Sequence, residues 1–232
     1  MQNNFSQNVK MLNNKVLVEI VSKYDDTVKL GNERIKVNTS YNPEQFLTTV
    51  GIVRGLPAKL TMGHGPDDME WRTSMQLQLN DRVVMSYMGV ASTMGQTNKT
   101  IEVNGKTCII VHYRNLIMAI RGDQEIMLNG FNLVEPMLEV DVPHIKKHLL
   151  GVVPDTVAKK YSKQYGRIKL CGEPNSEYVL ETASDTAVEK GQIVLYHKAA
   201  GIPFYRSSDD LVRGKNVYLK IQSRYMLAVI EP

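Results

Sequence analysis

The sequence predicts an all-β protein that consists of two tandem small β-barrels. Short runs rich in β-branched residues recur along the whole chain and are separated by turn residues. Segments with helical character are few and short, and several apolar patterns occur twice at a nearly constant spacing. Short strands at regular intervals are typical of β-sandwiches and small barrels, and the spacing indicates two copies of one unit.

The predicted strands are short apolar or alternating runs bounded by turn residues. In the first half they are Lys15–Val21, Thr49–Arg54, Met75–Leu79, Arg82–Tyr87, Lys99–Val103, Lys106–Val111, Leu116–Arg121 and Glu125–Leu128. In the second half they are Met137–Val142, Gly166–Cys171, Glu177–Glu181, Gln192–Tyr196, Asn216–Ile221 and Met226–Ile230. Asn104-Gly105 predicts a hairpin, because both residues of this turn take positive φ. Only Pro143–Leu150 and Pro154–Lys163 have helical character, and both are short.

The evidence for duplication is a set of features that recur about 110 residues apart. The runs that begin at Asp81 and at Gly191 each continue from a turn residue into an apolar strand, 110 positions apart. The segments IIVHYRNLIMAI and LKIQSRYMLAVI share two apolar strands joined by a polar link, and their alanines, Ala119 and Ala228, lie 109 positions apart. Upstream, the strands that begin at Gly51 and Gly166 are 115 positions apart, so the first copy has about five extra residues between this strand and the run that begins at Asp81.

These offsets predict two tandem domains. The first covers residues 1–132 and begins with a polar N-terminal arm, Met1–Asn14. The second covers residues 133–232, and the boundary falls near Asn132–Pro136. Each domain is large enough to bury a core of its own.

The composition excludes several classes of protein. Of the 232 residues, 43% are hydrophobic and 22% are charged, which is ordinary for a globular protein. No apolar run approaches the roughly 20 residues of a membrane helix, and the polar start lacks the apolar middle of a signal peptide. We therefore expect no membrane partner and a cytoplasmic location. The net charge of +4 is too small to indicate a nucleic-acid partner, and no aromatic stacking motif is present.

The residues that could catalyse a reaction or bind a metal have simpler explanations. Cys108 and Cys171 each lie in an apolar strand-like run, which predicts buried reduced thiols, and they match no zinc spacing. His144 and His148 could share a helix face, but no third ligand is near. His64 lies in a run of Gly, Pro and Asp, which favours a surface loop over a metal or acid–base site. The sequence therefore predicts no enzyme, no cofactor and no metal.

Two further features have structural or binding interpretations. Trp71 is interpreted as a plug at a barrel or domain junction, or as an interface anchor. Basic residues cluster in the second half, at Lys146, Lys147, Lys159, Lys160, Lys163, Arg167 and Lys169. Because no aromatic platform accompanies them, the cluster favours a solvated loop or a rim for an acidic protein partner over a nucleic-acid patch.

The order of these features resembles that of the GroES-like co-chaperonins. Their barrel consists of a strand, a long loop with an aliphatic tripeptide, a strand that begins at glycine, an apolar strand after a turn, and a closing pair with alanine. Nearly all of residues 137–232 match this order, with Val152-Val153-Pro154 in the place of the tripeptide. The first copy matches except for an insertion over residues 59–79. The related zinc alcohol dehydrogenases also contain a nucleotide-binding domain, but this chain lacks their G-x-G-x-x-G motif.

The resemblance implies a docking loop in each copy. In the second copy the docking residues would be Leu150, Gly151, Val152, Val153 and Pro154, with no catalytic role. In the first copy they would be Ile35, Lys36 and Val37, where the lysine interrupts the aliphatic run. In the resembled family such a loop is disordered when free and enters a hydrophobic groove between chaperonin helices. Alternatively, residues 150–153 form an ordinary edge strand of the barrel wall.

Two functions follow from the resemblance and from the asymmetry of the copies. The first is a co-chaperonin that assembles as an oligomeric ring, caps a chaperonin and assists protein folding. The second is a structural or decoration protein of a phage capsid, in which the barrels are adaptors and the loops and the N-terminal arm clamp neighbouring subunits. The first places the chain in the cytoplasm and the second in a virion. The composition, rich in Asn, Thr and Met, suits a phage origin for either.

Overall fold

The strands that the structure describes form two larger antiparallel sheets and two short hairpins. The computed structural model describes residues 9–22, 27–30, 33–36, 48–62, 69–70, 74–86, 100–143, 160–173, 188–204 and 218–230. The strands in chain order are β1 (Lys15–Ser22), β2 (Thr27–Leu30), β3 (Glu33–Lys36), β4 (Thr48–Gly55), β5 (Thr61–Met62), β6 (Met69–Glu70), β7 (Arg82–Ser86), β8 (Thr100–Val103), β9 (Lys106–His112), β10 (Leu116–Arg121), β11 (Gln124–Met127), β12 (Phe131–Leu138), β13 (Tyr161–Leu170), β14 (Ile193–Tyr196), β15 (Ile202–Phe204), β16 (Tyr218–Gln222) and β17 (Met226–Ile230). Short 3-10 turns lie at Tyr113–Asn115, Glu139–Asp141 and Ser223–Tyr225.

The first sheet has the strand order β11-β10-β7-β4-β1-β9-β8, and the second has the order β15-β16-β12-β13-β14-β17. The prediction of an all-β protein is confirmed by these two antiparallel sheets. The strand pairs among the described residues do not close either sheet on itself. Closure into two barrels therefore stays a prediction.

The two sheets share one strand order. The series β8-β9-β1-β4-β7-β10 in the first sheet corresponds to β15-β16-β12-β13-β14-β17 in the second. The residue pairs correspond as well, because Val18 faces Val53 across β1 and β4, while Val134 faces Ile168 across β12 and β13. Both pairs of strands have a register shift just before that valine. The second sheet thus repeats the first at the level of single residues, and only β11 has no counterpart in it.

Local hydrogen bonds repeat in the same way. The turn before β7 contains Asn80 at φ +71°, and the turn before β14 contains Gly191 at φ +94°. The side chains of Asp81 and Gln192 each accept a hydrogen bond of 2.8 Å from the backbone N–H three residues earlier. An Asp that accepts a bond from nearby backbone favours a turn. This explains why Met75–Leu79, predicted as a strand, forms an irregular segment that ends in a turn.

Each sheet has its own apolar core, and a third cluster joins the two sheets. The first core includes Val16, Val18, Val53, Val83, Leu116, Ala119 and Leu128. The second core includes Val134, Ile168, Val194, Tyr196, Ala200 and Ile221. The joining cluster, called the junction cluster below, contains Val84, Ile117, Met118, Met127, Leu133 and Phe204. Leu133 and Phe204 come from the second sheet, so the junction cluster is an interface between the two repeats.

In the second half, two other predicted segments differ from the structure at the residues that it describes. The strand predicted at Met137–Val142 begins at Phe131 and ends at Leu138, where a 3-10 turn takes over. Of the predicted helical segment Pro154–Lys163, residues 154–159 lie outside the described residues, and Tyr161–Lys163 belong to strand β13, in which Tyr161 pairs with Leu138. β13 therefore begins five residues before the Gly166 at which the sequence placed its start.

The described cysteines differ in exposure. Cys108 is buried between β1 and β8 and is free, as its apolar surroundings predict. Cys171 is also free, but it follows the end of β13 and is exposed. The prediction of a buried thiol was therefore wrong at Cys171, because the apolar run ends one residue earlier.

A charged cluster supports the centre of the first sheet. The carboxylate of Glu19 lies 2.6 Å from Arg54 Nη2 and 2.8 Å from Lys106 Nζ. Burial opposes ionisation of Glu19, but the hydrogen bonds from Lys106 and Arg54 outweigh it and hold its pKa below the ordinary value. In the second sheet the corresponding pair is Glu135 with Lys169, at 2.7 Å and about half exposed.

The Glu19 cluster predicts a loss of stability in acid. A folded-state pKa below the unfolded value contributes stability above about pH 4.5, and this contribution is lost as the pH falls through the folded-state pKa. We expect Glu19→Gln to lower the free energy of unfolding by about 1–2 kcal/mol at pH 7 and to flatten its fall in acid. Urea denaturation at several pH values measures both effects. The matched variant Glu135→Gln should change the free energy by about 0.5 kcal/mol or less; an equal effect of both would contradict the prediction.

Candidate docking site

The predicted docking residues are only partly within the described structure. Residues 150–154 of the second copy lie outside the described residues, as does Val37 of the first copy. Ile35 and Lys36 lie in β3, which pairs with β2 in a short hairpin. The sequence predicted a loop for these two residues, whereas their backbone belongs to a β-strand.

The ends of the second docking segment are held together by a stem. The backbone N–H of Glu139 donates a hydrogen bond of 2.8 Å to the carbonyl of Lys160. The ammonium of Lys160 also lies 3.0 Å from a carboxylate oxygen of Glu139. Because β12 and β13 pair up to Leu138 and Tyr161, the chain leaves the sheet and re-enters it at one point. Residues 140–159 are thus inserted between two paired strands of the wall.

A cavity of about 850 Å³ lies beside this stem. Residues next to the stem line it, Leu138 on one side and Tyr161 and Ser162 on the other. Its other walls come from β14, β16 and the turn after β14. Cavities of this size are typical of sites for small ligands or for a few side chains of a partner.

The polar groups of the cavity carry both signs of charge. Lys163, Arg167 and Lys198 contribute positive charge, and Glu135 and Asp141 contribute negative charge. The basic cluster that the sequence singled out is therefore divided, since Lys163 and Arg167 line the cavity while Lys160 and Lys169 form ion pairs. Lys146, Lys147 and Lys159 lie outside the described residues.

A buried tyrosine forms part of the cavity wall. Tyr196 packs in the core of the second sheet and also lines the cavity. Its hydroxyl has no hydrogen-bond partner among the described residues, and burial raises its pKa to about 12. A buried hydroxyl without a partner costs free energy, so a ligand or partner atom that bonds it would be favoured.

Strand β17 presents a second surface for binding. Among the described strands it lies at the edge of the second sheet, and Leu227 and Val229 are exposed on it. Tyr225 lies just before the strand, also exposed, with the guanidinium of Arg224 4.6 Å above its ring. An exposed apolar edge strand is a preferred place for another chain to pair.

The histidines and other candidate ligands show no metal site within the described residues. His112 Nδ1 accepts a hydrogen bond from the backbone N–H of Arg114, and His197 Nδ1 accepts one from that of Ala199. In the part of the chain that is described, no group of three or more His, Cys, Asp or Glu could hold a metal ion. His64, His144, His148 and Trp71 lie outside that part.

Comparisons with protein-family models and with curated protein sequences return no relative. No protein-family model matches the chain, and no curated protein sequence matches it. Among the described residues, no helix has the length and apolar character that a membrane crossing requires. Function must therefore be argued from the strands and surfaces described above.

One signal of the repeat was missed in the sequence. The pattern Met-Leu-Asn, three residues, then Leu-Val-Glu occurs at Met11–Glu19 and again at Met127–Glu135. It places the start of the second repeat before residue 132, since β11 and Leu128 belong to it. The same pattern identifies the residues around Leu12 as the counterpart of β11. The offsets of about 110 residues between the other strands did not reveal this correspondence.

Proposed function

We propose that this chain is a non-enzymatic, co-chaperonin-like protein that docks on a chaperonin ring through residues 150–154. The observation that carries the proposal is the stem of Glu139 and Lys160, which presents this segment from the wall of the second sheet. Because the stem fixes both ends of residues 140–159, this long insertion leaves the pairing of β12 with β13 intact. Such an arrangement suits a segment that binds a partner while the sheet stays folded.

The repeated strand order supports the same proposal. The segment between β12 and β13 occupies the place that the segment between β1 and β4 occupies in the first sheet. The GroES-like family has its docking loop between the first strand and the strand that begins at glycine. In this chain Gly51 and Gly166 lie in the strands that follow the two segments. The proposal includes the closure of each sheet into a barrel of the kind found in that family.

The proposed binding is weak at each site and strong in a ring. Leu150, Val152 and Val153 would contribute a few kcal/mol per segment, at about 25 cal/mol per Å² of apolar area buried. Ordering the segment would offset part of this contribution. Several copies that bind one ring together would restore firm attachment through avidity. The aromatic and charged wall of the cavity lies beside the stem and offers a further contact surface for the partner.

The test compares two variants of the same segment. The double variant Val152→Asp, Val153→Asp should weaken binding to a bacterial chaperonin ring by about tenfold or more, because two charges would enter an apolar groove. A pull-down and the ATP turnover of the ring measure the binding. The control Thr156→Asp adds the same kind of charge nearby but keeps the aliphatic residues, so its binding should stay within about threefold of the original.

The proposal fails if the double variant binds the ring as well as the original chain. It also fails if the original chain neither binds the ring nor changes its ATP turnover. In that case the alternative is a structural or decoration protein of a virion. The exposed apolar edge of β17 favours this alternative, because it suits a permanent contact in a larger assembly.

A further inference from the structure

Strand β17 is exposed where its counterpart in the first repeat is buried. Leu227 is 58% exposed and Val229 is 41% exposed. The residues at the same positions of β10, Ile117 and Ala119, are 1% and 0% exposed. The correspondence is fixed by the pairs with the neighbouring strand, because Ala119 faces Val83 in the first sheet and Val229 faces Val194 in the second. The counterpart of Ala119 is therefore Val229, and not Ala228 as the sequence indicated.

The start of the second repeat covers β10. Strand β11 pairs with the free edge of β10, with Met127 opposite Met118 and Ile126 opposite Ala119. The backbone N–H of Leu128 then donates a hydrogen bond of 2.9 Å to the carbonyl of Ile117. The side chain of Leu128 is fully buried in the core of the first sheet. No described residue pairs with β17 as β11 pairs with β10, and none covers it as Leu128 covers the first core.

The start of the first repeat has the same local structure as β11 and Leu128. Met11 forms a parallel bridge with Pro57, as Met127 does with Gly172. Asn13 and Asn129, which follow the two Met-Leu pairs, have φ values of +51° and +55°. The large differences are in exposure, because Leu12 is 65% exposed and Asn13 is also exposed, whereas Leu128 and Asn129 are buried.

We propose that residues Val9–Leu12 of one chain add to β17 of a second copy, as β11 and Leu128 add to β10 within the chain. The repeat fixes the register, in which Met11 faces Ala228, Lys10 faces Val229 and the N–H of Leu12 bonds the carbonyl of Leu227. Leu12 then closes the core of the neighbour's second sheet, and Leu227 and Val229 become buried. Each interface between chains copies the junction between the two repeats.

The partner is a second copy because both halves of the interface are on this chain. Leu12 and Leu227 are each exposed, so the single chain does not bring them together. The donor surface at one end and the acceptor surface at the other end differ, which makes the interface head-to-tail. Such interfaces generate a closed ring when the rotation between subunits closes, and a filament when it does not. This assembly does not depend on the proposed docking to a chaperonin.

Mixing two variants tests the interface directly. Leu12→Asp removes the donor and keeps the acceptor, whereas Leu227→Asp removes the acceptor and keeps the donor. Each alone should raise the concentration needed for association by about tenfold or more, in sedimentation velocity. An equimolar mixture should form pairs of one chain of each variant and nothing larger, because one intact interface remains. Since the two variants have equal mass, one is labelled with heavy nitrogen and the pairs are identified by native mass spectrometry.

Controls separate the interface from folding. Leu79→Asp places the same charge at another exposed leucine, outside the proposed interface, and should assemble like the original chain. Circular dichroism should show unchanged strand content for all three variants, and Leu12→Ser and Leu227→Ser replace any that unfolds. Three results would overturn the proposal: an original chain that stays monomeric at the highest attainable concentration, a Leu12→Asp variant that assembles normally, or a mixture that grows beyond pairs.

Discussion

Gly166→Ala should strongly destabilise the second sheet, and Gly51→Ala should do the same to the first. A Cβ atom at Gly166 would meet Val134 Cγ1 and would lie 2.8 Å from the carbonyl oxygen of Glu135. At Gly51 the same atom would meet Val18 Cγ1 and would lie 2.7 Å from the carbonyl oxygen of Glu19. The carbonyl belongs to the paired strand and cannot turn aside as a side chain can. We expect each variant to lose about 3 kcal/mol of the free energy of unfolding.

Urea denaturation of both variants, followed by circular dichroism, measures this loss. Gly105→Asn is the control, because Gly105 has no atom within 4 Å of an added Cβ and asparagine tolerates its positive φ. It should change the free energy of unfolding by about 0.5 kcal/mol or less. If Gly166→Ala lost as little free energy of unfolding as this control, the prediction that β12 leaves no room for a Cβ atom at this position of β13 would be wrong. Equal losses at Gly51 and Gly166 would show that the two repeats share this contact.

The sequence predicted strands best where the apolar run and the strand coincide. Leu116–Arg121 and Met226–Ile230 were predicted with the observed bounds, because each run stops at a polar residue or a turn. The prediction of strand bounds failed around Pro136, because the strand predicted to begin at Met137 begins at Phe131. Pro136 lies inside β12 opposite Gly166, so a residue that commonly ends strands is accommodated within one here.

The candidate sites were harder to predict than the strands. The cavity beside the stem combines residues from β12 to β16, which are brought together only by the fold. The sequences of β10 and β17 also do not show that the first strand is buried and the second exposed, since LIMAIR and MLAVI are similarly apolar. Local sequence shows that a strand is apolar, but it does not show whether another strand covers it. The repeated Met-Leu-Asn pattern carried that information, because it marks the covering segment itself.

Asn129→Ala should also cost about 3 kcal/mol of the free energy of unfolding. Asn129 is buried at the start of the second repeat, and its amide donates hydrogen bonds of 2.6 and 2.7 Å to the carbonyls of Tyr113 and Leu116. Without the amide, two buried carbonyls at the end of the first sheet would lose these bonds. Alanine would also have to adopt the left-handed backbone that asparagine takes at φ +55°.

Asn13→Ala separates the hydrogen bonds from the backbone cost. Asn13 has nearly the same φ, +51°, but it is exposed. Its replacement should cost about 1 kcal/mol in the monomer, measured by urea denaturation at a low chain concentration. The excess loss at Asn129 then measures the two buried bonds, and equal losses would contradict their contribution.

If chains join as proposed, Asn13 takes the role of Asn129 toward the carbonyls of Ser223 and Met226 of its neighbour. Asn13→Ala should then weaken association by about tenfold, far more than its small effect on the monomer would suggest.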